Sequence, residues 1–242
     1  LLLSAFLISS ASAVKIEIKN KCPFPIWPGI QGSKLVENGG FYLAAGKSKT
    51  INVPDGWTAG RIWARTGCDK NFNCATGFCG NKLACEGRGG EPPASLAEFT
   101  LKGHGGQDYY DVSLVDGFNL PLLILPKPGS FNTNGGSYDC KVAGGCTKDL
   151  LKTCPKELRK TVNGKTVGCK SACLAFKSDT YCCAGAHNTP QTCKSKDWPK
   201  NYPAIFKSSC PKAYSYAYDD QTSTFFCRGK GTPSASYLVQ FC

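Results

Sequence analysis

Sixteen cysteines in a chain of 242 residues constrain its fold more tightly than any other feature. Their meaning depends on the compartment, and the N-terminal segment supplies it. Leu1 to Ala13 is uncharged, runs apolar through Leu7 and Ile8, and ends in Ala11-Ser12-Ala13, small residues at the spacing a signal peptidase accepts. It reads as a signal peptide, with the mature protein starting at Val14. The sequence has no methionine, so the charged start of that signal is expected upstream of Leu1, and the chain reads as a slightly truncated precursor. In an exported protein, sixteen cysteines read as eight disulfides rather than as metal sites or reactive thiols. Zinc sites commonly use C-x2-C pairs and histidines. This chain has no C-x2-C and only His104 and His187, so no metal and no cofactor is expected. No stretch after Val14 approaches the roughly 20 apolar residues of a membrane span. A soluble product resistant to heat, acid and proteases follows from so many cross-links.

The hydrophobic pattern points to a mainly β fold. Lys15-Ile16-Glu17-Ile18-Lys19 alternates polar and apolar residues, the period of a half-buried strand. Strand-length runs follow at 40–43, 50–53, 60–65, 97–101 and 109–115, separated by Gly, Pro, Asn or Asp. Such spacing suits a sandwich or barrel. Between Lys148 and Lys177 the character changes to eight Lys or Arg against two acids, with Cys154, Cys169 and Cys173 in the same stretch. This reads as a loop-rich, disulfide-stapled lobe whose best helix candidate is Lys170 to Lys177. Cys68, Cys74, Cys79 and Cys85, among glycines, mark a third small segment over 66–93.

The formal charge of +12 survives removal of the uncharged leader, and a field of that sign favours anionic partners such as fungal walls or anionic membrane surfaces. Nucleic acid is not expected, because the chain is read as exported and carries no recognisable nucleic-acid module. No N-x-[ST] acceptor occurs, so N-glycosylation is not expected.

Several motifs resemble the plant-type thaumatin-like family, and the resemblance runs from Lys15 to Cys242. They are Gly60-Arg61-Ile62-Trp63-Ala64-Arg65-Thr66-Gly67-Cys68, Pro92-Pro93-Ala94-Ser95-Leu96-Ala97-Glu98-Phe99-Thr100-Leu101, the stretch from Tyr110 to Pro121, Tyr181-Cys182-Cys183, and the stretch from Cys210 to Asp220. The resemblance implies eight disulfides: Cys22-Cys242, Cys68-Cys74, Cys79-Cys85, Cys140-Cys227, Cys146-Cys210, Cys154-Cys169, Cys173-Cys182 and Cys183-Cys193. It implies a β-sandwich core over 14–65, 94–147 and 211–242, a disulfide-rich lobe with short helices over 148–210, a small third lobe over 66–93, and a cleft between the first two. Thr76-Gly77-Phe78-Cys79 departs from the family's usual Thr-Gly-Asp-Cys, and the loop from Cys68 to Cys74 is shorter than usual, which puts the shape of the third lobe in doubt.

The resemblance also implies a defence role in which an acidic cleft, carrying Arg61, Glu98, Asp111, Asp116 and Asp219, binds β-1,3-glucan. Strand parity gives partial support of its own. Ala97, Phe99 and Leu101 should face the core and turn Glu98 away, while Tyr110, Val112 and Leu114 share one face and leave Asp111 on the other. Asp116 has the wrong parity for one flat strand and reaches the same site only if the chain turns at Asp116-Gly117. Asp116 and Asp219 are equally suited to turn positions. Phe99, Phe118 and Tyr218, as sequence neighbours of the acids, are candidates for contact with a sugar face, with core packing the competing role.

Three other activities compete. The same acids could hydrolyse a glycosidic bond, with Glu98 as proton donor and Asp111 as base or nucleophile. Surface loops could inhibit a protease or amylase, and the basic lobe could permeabilise membranes. The chain ends at Cys242 without the acidic extension of vacuolar relatives, so the expectation is a monomeric, secreted, extracellular protein.

Overall fold

The computed structural model describes residues 13–231 and 234–242. The expected signal peptide lies outside the described residues except for Ala13, which opens the first strand. The strands are β1 (Ala13–Asn20), β2 (Trp27–Gln31), β3 (Ser48–Pro54), β4 (Gly60–Arg65), β5 (Leu96–Thr100), β6 (Asp108–Ser113), β7 (Leu122–Pro126), β8 (Phe131–Asn132), β9 (Ala143–Gly144), β10 (Arg159–Val162), β11 (Lys165–Cys169), β12 (Phe225–Gly229) and β13 (Tyr237–Phe241). The helices are short: α1 (Leu150–Thr153), α2 (Ala172–Phe176), α3 (Asp179–Cys182) and α4 (Tyr202–Ser209).

Alternation along the strands builds two sheets. One has the order β3-β1-β13-β7-β9 and the other β2-β4-β5-β6-β12-β8. Val14, Ile16 and Ile18 on β1, with Tyr237, Val239 and Phe241 on β13, are fully buried against Ile62, Ala97, Phe99, Tyr110 and Val112 of the second sheet. Residues between these positions point outward, as the period of two requires. Gly40 to Leu43, expected as a strand, forms only isolated bridges to Gly29 and Ile26. Phe41 donates to the Pro28 carbonyl, but Pro28 has no N–H to return the bond, so a continuous ladder cannot close there.

The segment after Cys146 is closed at its ends by the Cys146–Cys210 disulfide. Inside it, Cys154–Cys169, Cys173–Cys182 and Cys183–Cys193 tie the β10–β11 hairpin and the short helices together. The expected helix over 170–177 is α2, capped by the Ser171 hydroxyl, which accepts from the Leu174 N–H. Cys22–Cys242, Cys68–Cys74, Cys79–Cys85 and Cys140–Cys227 complete eight bonds, the same pairs the resemblance implies.

A buried guanidinium anchors the small 66–93 segment. Arg65 is fully buried and donates to the carbonyls of Trp27, Lys82 and Leu83. Among the described residues no carboxylate compensates it, and burial pulls its pKa down to about 10. The planar fork spreads Nε, Nη1 and Nη2 toward carbonyls on two separate segments, a span that the single nitrogen of a lysine does not reproduce. Arg65→Lys is expected to leave at least one of those carbonyls unpaired and to cost about 2 to 3 kcal/mol, read as a lower denaturation midpoint together with faster proteolysis between residues 77 and 91.

Candidate functional site

The outer face of the six-stranded sheet carries a row of charge set by strand register. β4 pairs antiparallel with β5 so that Arg61 stands opposite Glu98, and β5 pairs with β6 so that Glu98 stands opposite Asp111. Arg61 Nε donates to Glu98 Oε1 at 2.9 Å. These three residues border a cleft of about 370 Å3 that is also lined by Ser113, Asp116, Tyr214 and Asp220. They equally border an adjoining hollow of about 210 Å3 that continues past Thr100 and Tyr109. The two hollows share Arg61, Glu98 and Asp111, so the row forms the floor of one elongated groove.

Asp116 joins the groove because the chain turns after β6. The Gly117 N–H donates to the Leu114 carbonyl, and Gly117 has φ of +81°. A Cβ at Gly117 would stand 2.6 Å from the Cys169 carbonyl oxygen and 2.6 Å from Pro93, so only glycine fits this turn. The groove's remaining wall is the segment 213–223. There Tyr214 donates its hydroxyl to Asp220 at 2.8 Å, and Ser113 forms a parallel bridge with Tyr214.

The carboxyls differ in their environments. Burial raises the pKa of Glu98, with Asp116 adding to the effect, while Arg61 pulls it back by charge and hydrogen bond. Asp111 is pushed well above the usual carboxylate range, first by burial and then by the negative charges of Glu98 and Asp220; Arg61 opposes this weakly. Asp111 Oδ1 is buried and has no hydrogen-bond partner. Burial also raises the Tyr214 phenol above its ordinary value.

The structure brings together Arg61, Glu98, Asp111 and Asp116, but Asp219 does not border the groove. Its carboxylate accepts from the Ser215 N–H and hydroxyl and from the Thr222 hydroxyl, and it pairs with Lys207 at 2.8 Å. Asp220, its neighbour, supplies the groove's fourth acid. Two adjacent acids in a turn look alike in sequence, and only the hydrogen bonds separate them. The three aromatic candidates correct in the same way. Phe99 lies next to Glu98 on one strand and so faces the opposite side, packing on Tyr237 with ring centroids 5.3 Å apart. Phe118 is fully buried, and Tyr218 donates to the Asn188 carbonyl away from the groove. Phe99 borders the second hollow although its side chain is buried, and Tyr214 and Tyr109 are the other aromatic residues along the groove. Ser113 was legible from parity, being two residues beyond Asp111. None of the residues lining the groove comes from 148–210, so that lobe supports the 213–223 wall from behind, with Trp198 packing edge-on against Tyr216.

The thaumatin family profile matches residues 20–242. The chain belongs to the thaumatin family. Pathogenesis-related protein 5 of Arabidopsis thaliana is 49% identical over 237 residues, covering 95% of this chain and 90% of the relative. A protein of Prunus avium named glucan endo-1,3-beta-glucosidase is 44% identical over 241 residues, covering 96% of this chain and 91% of the relative. Among solved structures, a laminaripentaose-producing β-1,3-glucanase in complex with laminaritetraose superposes with a TM-score of 0.62 over 95% of this chain and 98% of that one, at 10% identity. At that identity the likeness is one of fold.

Within this thaumatin fold, the two neighbouring aspartates should separate by experiment. Lys207 is mostly buried and donates to Asp219, the Ala213 carbonyl and the Ser223 hydroxyl. Asp219→Asn removes the only charge that balances it and is expected to cost about 3 kcal/mol. Asp220→Asn, at an exposed position, should change stability by less than about 0.5 kcal/mol. Thermal unfolding of the two variants checks this.

Proposed function

We propose that this thaumatin-family protein is a secreted, pathogenesis-related defence protein that binds β-1,3-glucan along the groove floored by Arg61, Glu98 and Asp111. The observation that carries the reading is the cross-strand row itself. Three ionisable side chains stand opposite one another on three adjacent strands in an elongated, open groove, flanked by Asp116 and Asp220. Charged groups make the stronger hydrogen bonds to hydroxyls, and a line of them suits a chain of sugars better than a single small molecule. Tyr109 and Tyr214 offer ring area beside the acids. The name of the Prunus avium relative points to the same substrate. The net charge of +12 would concentrate the protein on anionic fungal surfaces. No helix among the described residues is long and apolar enough to cross a membrane.

Weak endo-β-1,3-glucanase activity is the second reading, favoured by one observation. Glu98 and Asp111 are direct cross-strand partners with unequal surroundings, one paired with arginine and the other unpaired. Directly opposed residues have Cβ atoms about 4.5 to 5.5 Å apart, which puts both carboxyls beside the same stretch of one bound sugar chain, as glycoside hydrolysis requires of its acid pair.

Sedimentation with insoluble β-1,3-glucan, with reducing sugar measured in the same tube, tests both. Wild type should be retained in the pellet, and Glu98→Ala should bind roughly 10- to 100-fold more weakly, the effect of losing a charged hydrogen-bonding group. Sugar release abolished in the variant would make the protein an enzyme. Retention unchanged in Glu98→Ala would contradict the groove as the binding surface, and wild type that neither sediments nor releases sugar would sink both readings in favour of inhibition of a protease or amylase by surface loops.

A further inference from the structure

We propose that Asp111 is the neutral carboxyl of the groove and donates a hydrogen bond to the bound sugar, while Glu98, held by Arg61, is its ionised partner. This rests on the glucan-binding reading and assigns the protonation state of that site.

The geometry allots the groove's charges unequally. Four carboxyls line it, Glu98, Asp111, Asp116 and Asp220, and Arg61 is the one cation among its lining residues. Arg61 is committed to Glu98 by a 2.9 Å bond. Asp220 accepts from the Tyr214 hydroxyl, and Asp116 sits on a turn at the rim. Asp111 receives nothing. Its Oδ1 is sealed from solvent without a donor, although the residue borders both hollows. A buried carboxylate oxygen lacking both a donor and a counter-charge is costly, and protonation is the ordinary relief.

Every neighbouring element except β4, whose Arg61 opposes weakly, presses the same way. β4 offers only the committed Arg61. β5 sets Glu98 directly opposite, the turn after β6 brings Asp116, and the 213–223 segment brings Asp220 and the Tyr214 phenol. Tyr109, on Asp111's own strand, is uncharged. The direction of the Asp111 shift, well above the usual range with burial as the leading cause, agrees with this geometry. An acid at this position is thus a donor toward a sugar hydroxyl or ring oxygen, which an ionised carboxylate cannot be.

The sign of the linkage follows. An unfolded aspartate titrates near 3.9, and the folded value lies above it. The folded protein therefore holds the extra proton within that window, so stability falls as pH rises from the unfolded value through the folded one. Affinity for glucan should be greatest where Glu98 is ionised and Asp111 is not, and should fall tenfold per pH unit above the folded Asp111 value.

The test is a carboxyl titration of the full-length free protein labelled with carbon-13 at aspartate side chains, followed by calorimetry with a β-1,3-linked glucose hexamer across the same pH range. At about pH 6, where ordinary aspartates are ionised, one resonance should remain in the acid form in wild type and be missing in Asp111→Asn. Glu98→Gln should retain it. Asp111→Asn, which is neutral and keeps a donor, should bind the hexamer with a flat pH profile and should melt above wild type at neutral pH. Wild-type aspartates that have all titrated by about pH 6, or hexamer binding abolished at every pH by Asp111→Asn, overturn the proposal alone. A persistent acid-form resonance with no hexamer binding by wild type at any pH instead sinks the glucan reading, and the donor role with it.

Discussion

The antiparallel register of β4, β5 and β6 is the constraint on which the remainder of the molecule turns. Because side chains alternate across a strand, one register does two jobs. It sends Ile62, Ala97, Phe99, Tyr110 and Val112 inward to close the sandwich, and it sends Arg61, Glu98 and Asp111 outward in a line. A slip of one residue in β5 would put Glu98 into the apolar layer and Phe99 into water. The free energy of the core thereby enforces the order of charges in the groove, and the acids need no scaffold of their own.

The walls are fixed by separate means. On one side, a second small core of Trp63, Cys79, Cys85, Ala94 and Leu96 seats the 66–93 segment on the same outer face. Asn119 stitches this region together by donating to the Ala64 carbonyl and the Thr76 hydroxyl while accepting from the Ser95 and Leu120 N–H groups. On the other side, Lys207 and Asp219 hold the 213–223 turn with every donor of the ammonium occupied. Buried polar groups that are fully paired specify one arrangement. The disulfides of the 148–210 segment hold its short helices, which on their own would be too short to persist in water. The groove is consequently open and preorganised, a form suited to a stiff polymer.

Much of this was legible in the sequence, and the limits have physical causes. Alternation at Ile16, Ile18 and along 97–101 revealed both the strands and the outward turn of Glu98. β7 was harder, because Leu122 to Leu125 is apolar at every position and conceals its period. β2 contains Pro28 and Gly29, residues that ordinarily argue against a strand. Three of the four groove acids followed from motif and parity, but the fourth did not. Asp219 and Asp220 differ only in where a turn points them, and the decisive bonds to Ser215 and Lys207 come from residues distant in chain or dependent on the fold. Phe99 misled for a simpler reason, since neighbours along a strand lie on opposite faces, whereas Phe118 is buried and Tyr218 is tied to the Asn188 carbonyl.

The balance of charge gives the account its direction. A strongly basic protein gathers four of its seventeen acids in one groove, with one arginine among them, so the surface attracts anions while the groove offers polar partners to neutral hydroxyls. Titrating the nitrogen-15-labelled protein with a β-1,3-linked glucose hexamer and following backbone amide shifts tests that claim most directly. The largest shifts are expected at Arg61, Glu98 and Asp111 and along residues 213–220. Shifts confined to the β10–β11 hairpin and the helices of the basic lobe would contradict it.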